Sequence, residues 1–283
     1  MLRREICISC SDFHYEDINV NDITRRIEAV DRVLNSPSQR KLFSLPLVYM
    51  WDDHDWLGND SLGYDGDGRE AALESYKVAM PYHGPLPSNN SAYHAFTIGS
   101  VRFIISDLRS ESTAGSIFSD QQKEWLLHEL SQSDQYDFVV WVTVKPWIQE
   151  EVDAEAKQKR SDSWKGYPDD RQELSDFISF MMPKRNLIAI SADAHMVAFD
   201  DGSNTFYGQG SPSDTDMNND NATVIQSFPL LQSGPLDRLA SFKGGNRNSL
   251  KDFLKIYTCD MTHHARHSHR NRTILRRLYR IQI

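Results

Sequence analysis

Apolar runs of strand length alternate along this chain with segments of helical period, and that alternation constrains the fold more than any other feature. Ile6 to Cys10, Leu45 to Trp51, Phe96 to Ile105, Phe138 to Val144 and Asn186 to Ser191 read as strands. Between them Asn21 to Asn35, Asp120 to Leu130 and Asp169 to Met182 read as helices. In the first of these Asp22 stands near the start, and Ile23, Ile27, Val30, Val33 and Leu34 share one face. The pattern predicts an α/β layered domain. With 283 residues the chain is long enough to bury about three quarters of its unfolded surface. No repeat or linker divides it, so one domain is expected over residues 1–283, with its core over about 6–260. Residues 261–283, rich in His and Arg, read as a solvated polar tail or amphipathic terminal helix.

Two long stretches, Asn59 to Asn90 and Gly202 to Asn221, read as irregular. Loops of that length carry function or stay disordered. The first holds Tyr82, His83, Pro85 and Pro87 and is expected to fold over something; the second, rich in Ser, Asp and Asn, reads as a solvated excursion.

Three groups of metal-type side chains directly follow predicted strands: Asp12-Phe13-His14-Tyr15, Asp52-Asp53-His54-Asp55 and Asp193-Ala194-His195. Ligands of α/β sheets bind at the carboxyl ends of strands, so groups far apart in sequence can converge there. Any one group alone reads equally as helix caps or turn residues; three at successive strand ends favour a site. Carboxylates suit hard cations, and imidazole with phenolate extends the set to iron, zinc or manganese. Such a donor set can hold two metals about 3.5–4 Å apart and clamp a phosphoryl group.

Composition narrows the partners. The net charge of -9 makes a poor duplex nucleic-acid binder, because phosphate neutralisation needs a basic face. Three cysteines, Cys7, Cys10 and Cys259, imply no disulfide framework, and the lone Cys7-x-x-Cys10 reads as buried strand rather than redox or zinc chemistry. No apolar run spans a membrane, and Met1 to Ser11 lacks the apolar core of a signal peptide. Sequons at Asn59, Asn89, Asn221 and Asn271 do not establish secretion.

Taken in order, Asp12-Phe13-His14-Tyr15, Trp51-Asp52-Asp53-His54-Asp55 with Asn59-Asp60, Ser106-Asp107-Leu108-Arg109-Ser110 and Ser191-Ala192-Asp193-Ala194-His195-Met196 resemble the PhoD-like alkaline phosphatase family of the calcineurin-like metallophosphoesterases. The resemblance runs from about Ser11 to Arg238 and includes Lys145-Pro146-Trp147, Asp162-Ser163-Trp164 and Gly166-Tyr167. It implies a two-sheet β-sandwich flanked by helices, in α/β/β/α layers, with a multinuclear metal site at one end. The activity it implies is a phosphatase or phosphodiesterase that hydrolyses small phosphate esters with a metal-bound hydroxide. Carried over by position, Asp12 is the bridging carboxylate, Tyr15 a phenolate ligand, and Asp53, Asn59, Asp193 and His195 further ligands. His54 stabilises or protonates the leaving oxygen, and Arg109 beside Asp107 is the candidate phosphate contact. The metals implied are iron with calcium, zinc and manganese being alternatives.

Departures from the family pattern shape a second expectation. Ser11 and Ala192 stand where the family has glycine, removing residues tolerant of positive φ. The family also takes a cysteine ligand from a strand upstream of the first Asp, and Cys10 lies too close to Asp12 to replace it. A chain lacking its first core strand is therefore expected, with export or membrane association open for a longer product. The alternative function is a catalytically impaired or non-catalytic metal- or phosphate-binding remnant.

Among other residues, Arg69 and Arg171 read as surface arginines, and His83 and His94 as packed or surface groups. Trp51, Trp56, Trp147 and Trp164 read as core and pocket wall. Asp200, Asp201 and Asn204 read as either a polar turn or an extra cation site.

Overall fold

The computed structural model describes residues 6–37, 40, 42–80, 85–148, 162–195, 197–209 and 227–233. Strands β1 (Cys7–Ser9) and β2 (Leu47–Tyr49) pair in parallel, Cys7 opposite Leu47, as a two-stranded sheet. The second sheet has six strands in the order β3-β4-β5-β6-β8-β7. They are β3 (His94–Ile98), β4 (Val101–Ser106), β5 (Phe138–Thr143), β6 (Leu187–Ser191), β7 (Ala198–Asp200) and β8 (Leu230–Gln232). Strands β4, β5, β6 and β8 run parallel, while β3 and β7 are antiparallel edges.

Phe103, Ile104 and Ile105 of β4 and Val140, Trp141 and Val142 of β5 are buried on both faces, as the central strands of a covered parallel sheet must be. Cys10, Tyr49, Met50 and Trp51, from the smaller sheet and its exit, share the same apolar cluster. The architecture is the two-sheet α/β fold expected.

Helix α1 (Ile23–Leu34) starts where Asp22 accepts from the Arg25 amide at 3.0 Å. Its inner face is centred on Arg26, 2% exposed, which donates to the carbonyls of Ile18, Asp55 (2.9 Å) and Trp56 (2.8 Å). A buried cation on three carbonyls ties α1 to the loops after β1 and β2. The four-residue α2 (Asp53–Trp56) follows β2 directly. Helix α4 (Asp120–Ser131) begins at Ser119, and α5 (Pro168–Asp176) runs into a π-helical turn over Phe177–Met181.

Three expectations need correction. The run Phe96 to Ile105 is a hairpin rather than one strand, because Gly99 takes φ 62° and turns β3 into β4. The stretch Asn59 to Asn90 contains α3 (Arg69–Ala79), which buries Ala71, Ala72, Leu73 and Tyr76. Position 68 offers no side-chain cap because only glycine fits: a Cβ there would meet Arg26 Nη2, the Asn19 carbonyl carbon and Val20 O, each at 2.9 Å. Asn21 supplies the missing acceptor from outside the helix, its Oδ1 taking the Ala71 amide at 2.9 Å. Strands β7 and β8 lie where no strand was predicted. The tail 261–283, Tyr82, His83, Cys259 and most of the excursion to Asn221 lie outside the described residues.

Candidate metal centre

The carboxyl ends of β1, β2, β4, β5 and β6 open onto one place, and each exit carries a charged side chain: Asp12, Asp53, Arg109, Lys145 and Asp193 respectively. Ligand atoms of Asp12, Asp53 and His54 lie within 4.8 Å of one another, as do those of Asp52, Asp53 and Asp193, and those of Asp53, Asp60 and Asp162. Asp53 is common to all three groups. It has no exposed area; its Oδ1 accepts from the His54 amide at 3.0 Å and its Oδ2 from the Asp60 amide at 2.6 Å.

Electrostatics mark the place as short of positive charge. Asp12 is 6% exposed, and neither of its oxygens receives a well-formed hydrogen bond. Burial, with Asp52, Asp55 and Asp53 close by, pushes its carboxyl up to about 11, against a weak lowering by the Tyr15 hydroxyl. Asp52 is raised to about 7 by burial, even though Arg109 pulls the other way. Asp193 is raised well above the ordinary value, first by burial and then by Asp162 and Asp52. The five carboxylates of Asp12, Asp52, Asp53, Asp162 and Asp193 face two buried cations, Arg109 and Lys145. The Asp12 carboxylate, buried with Asp52, Asp53 and Asp55 close by, fits a bound cation. The donors are carboxylates with imidazole and phenol, a set for hard or borderline metal ions.

A surrounding layer fixes these groups. His54 Nδ1 lies 2.5 Å from Asp17 Oδ1; the carboxylate must accept, so Nδ1 carries the proton and Nε2 is left for the site. The Tyr15 hydroxyl contacts His195 Nε2 at 3.1 Å, and its ring lies against His54 with centroids 4.4 Å apart. Asp55 is a clamp: its oxygens accept the Phe13 and His14 amides at 2.8–2.9 Å and hold the loop that carries Asp12. Gln122 of α4 grips Asp107 through its amide and carbonyl, at 2.9 and 2.8 Å. Asp107 in turn accepts from Trp51 Nε1 at 2.9 Å and from the Arg109 and Ser110 amides at 3.1 Å.

Among the described residues four non-glycine residues have positive φ: Asp17 (48°), Asp60 (58°), Asp193 (63°) and His195 (52°). All four belong to this site, and left-handed backbone at such residues costs about 1 kcal/mol or more each. Ser11 and Ala192 are not among them, so the departures from glycine leave the strand-end turns intact; the left-handed turn is carried by the residues after Ala192.

The fold thus brings Asp12, Tyr15, Asp53, His54, Arg109, Asp193 and His195 together. Asn59 sits at the exposed rim, its Nδ2 donating to Asp60 Oδ2 at 2.9 Å, beside a polar groove of about 540 Å³ that Asp17, Asp60 and Asp65 also line. Arg109 has no exposed area: its Nε donates to Asp52 Oδ1 at 2.6 Å and its Nη1 lies 2.7 Å from Asp162. Arg69 and Arg171 stack on the rings of Tyr64 and Tyr207 instead, and His94 packs with Nδ1 2.8 Å from the Ala92 carbonyl. Asp200 and Asn204 bond to each other and to the turn amides as a polar turn. Cys10 is buried against Ser233 with its thiol pushed up to about 12, and Cys7 is also free and buried. Sequence reading missed the parts played by Asp17, Asp52, Asp60, Lys145 and Asp162. Asp17 and Asp60 were within reach, each being an acid a few residues from a predicted ligand; Asp162 was not, since only folding brings it to Arg109.

Residues 31–217 match the family model described as PhoD-like phosphatase. The chain belongs to the PhoD-like phosphatase family. A solved structure described as that of PhoD superposes with a TM-score of 0.61 at 16% identity, over 81% of this chain and 51% of that one. This member of the PhoD-like family therefore shares the PhoD fold while spanning about half the length of the solved PhoD chain. A purple acid phosphatase from yellow lupin (Lupinus luteus) seeds aligns at 13% identity, over 85% of this chain and 46% of its own, with a TM-score of 0.48. No curated protein matches the sequence.

Proposed function

We propose that the chain is a metal-dependent phosphoesterase acting on small phosphate esters. The observation that carries this is the meeting of Asp12, Asp53, His54 and Asp193 from three distant strand ends, with the Asp12 oxygens buried and lacking donors. Asp12, Tyr15, Asp53, Asp193 and His195 would hold the metal ions, iron with calcium by family resemblance and zinc or manganese as alternatives; Asp60 and Asp162 extend the set, and Asn59, exposed at the rim, would have to turn inward to join them. Bound metal supplies Lewis-acid polarisation of the phosphoryl group and an activated water near neutral pH.

The chain's own groups do the rest. His54, oriented by Asp17 through Nδ1–H, would in its doubly protonated form give the Nε2 proton to the departing alcohol and remain as the neutral imidazole. Arg109 lies between Asp52 and Asp162, so its part here is to hold and neutralise those carboxylates. The phosphate contact read from sequence would require it to leave both. Tyr15 keeps His54 and His195 in place through ring and hydroxyl.

The second reading, a metal- or phosphate-binding protein without turnover, is favoured by one observation. Cys10 lies with its thiol 3.8 Å from Ser233 Oγ and belongs to none of the clustered ligand groups among the described residues, so it does not stand in for the family's cysteine ligand. Elemental analysis of the purified protein, with assays on p-nitrophenyl phosphate and bis(p-nitrophenyl) phosphate, separates the two. Hydrolysis of either ester supports the enzyme, and bound metal with neither hydrolysed supports the second reading.

A further inference from the structure

Lys145 leaves β5 at the end where the site gathers, and it is 1% exposed. Buried lysines are rare unless paired, since an ammonium taken from water needs acceptors in return. Among the described residues no hydrogen bond or ion pair reaches its Nζ; its contact is the face of Tyr167, 5.0 Å from the ring centroid. The site's other buried cation, Arg109, is by contrast paired to Asp52 and Asp162. Asp162, Asp52 and Asp53 attract the Lys145 ammonium from a distance while burial and Arg109 oppose it, lowering it to about 8.

Loading the carboxylates with metal makes this imbalance worse. Cations at Asp12, Asp53 and Asp193 would cancel the distant attraction and leave Lys145 as an unpaired positive group in a dry pocket. What restores balance is an anion with free acceptor oxygens. Building on the phosphoesterase reading, we infer that Lys145 is a phosphate-contacting residue, its ammonium holding a non-bridging oxygen of the substrate's phosphoryl group. The competing role for the same side chain is permanent neutralisation of the carboxylates, which would show in metal content rather than in phosphate affinity.

The test uses metal-replete protein and inorganic phosphate as probe, with affinity read by calorimetry and by competitive inhibition. In Lys145→Met the metal content by elemental analysis is expected to stay at the wild-type value while phosphate binding weakens at least about tenfold. KM for p-nitrophenyl phosphate should rise more than kcat falls. Should Lys145→Met not fold, Lys145→Gln, one bond shorter and uncharged but still a donor, is expected to show the same selective loss. Wild-type phosphate affinity in a folded, metal-replete variant overturns the inference, and so does metal loss in step with phosphate loss. If wild-type protein binds phosphate through Lys145 but hydrolyses neither ester, the phosphoesterase reading fails while the contact stands. Ester hydrolysis by wild type with unchanged phosphate affinity in the variant is the reverse.

Discussion

Arg109 and Asp52 meet in complete burial: Nε lies 2.6 Å from Oδ1, and neither side chain has exposed area. Removing Arg109 leaves Asp52 a buried carboxylate without its cation, and removing Asp52 leaves Arg109 to Asp162 and, more distantly, Asp53. Arg109→Met or Asp52→Asn should each lower the unfolding free energy by about 3–5 kcal/mol, with the double variant losing less than the sum. Urea denaturation of the two single variants and the double variant checks this; strictly additive losses would show that the pair is not coupled.

Asp12→Asn and Asp193→Asn should each reduce turnover to background and lower bound metal, while circular dichroism stays native. Both replacements keep shape and remove a charge that burial already disfavours. Full activity in either variant contradicts the metal centre.

The metal-free protein should become less stable as pH rises. An unfolded aspartate titrates near 3.8, whereas folded Asp52 titrates near 7 and Asp12 near 11. Between those limits the native state holds protons that the unfolded state has released, so unfolding free energy falls with increasing pH. The contribution is fully present below pH 3.8 and is lost progressively up to about 11. Melting temperature against pH after chelation reads the slope, and added metal should flatten it by taking the protons' place. A melting temperature that climbs with pH in chelated protein would refute the assignment.

Asp17→Ala should lower kcat by about 10–100-fold with metal content unchanged, because the acid's orienting partner is lost while the ligands remain. A kcat equal to that of the wild type would leave Asp17 a structural residue only.

Gly68→Ala should destabilise by about 1–3 kcal/mol, because its Cβ would meet Arg26 Nη2 and two backbone atoms at 2.9 Å. Thermal melts resolve a loss of that size. A neutral result would mean that α1 and α3 can separate slightly without penalty.

What was legible in the sequence followed local rules. Asp22 before Ile23, the apolar runs of β4, β5 and β6, and acids placed just after strands each carry their meaning within a few residues. The helix over Arg69–Ala79 was hidden because Gly68 is kept small by Arg26, a residue from another helix, so the usual cap was absent. The hairpin at Gly99 was hidden because only two residues, Gly99 and Ser100, separate the strands, and apolar residues stand on either side of them. At the site the ligand-type residues were readable, but their supports were not. That Arg109 would meet Asp52 depends on the small sheet packing beside the large one, and that Arg109 would meet Asp162, or Lys145 be buried against Tyr167, depends on how the segments after β4 and β5 are brought together by the parallel order of the large sheet.

That order also governs assembly. Asp12 and Asp53 leave β1 and β2, while Asp193 leaves β6, beyond the hairpin, the helices α3, α4 and α5, and strand β5. During synthesis the first carboxylates emerge long before the partner that completes their cluster, and non-local contacts of this kind form late. A stalled or interrupted chain would expose half a centre, an acidic hook with weak and indiscriminate affinity for whatever cation is at hand. The full set of clustered carboxylates therefore exists only once β6 is in place.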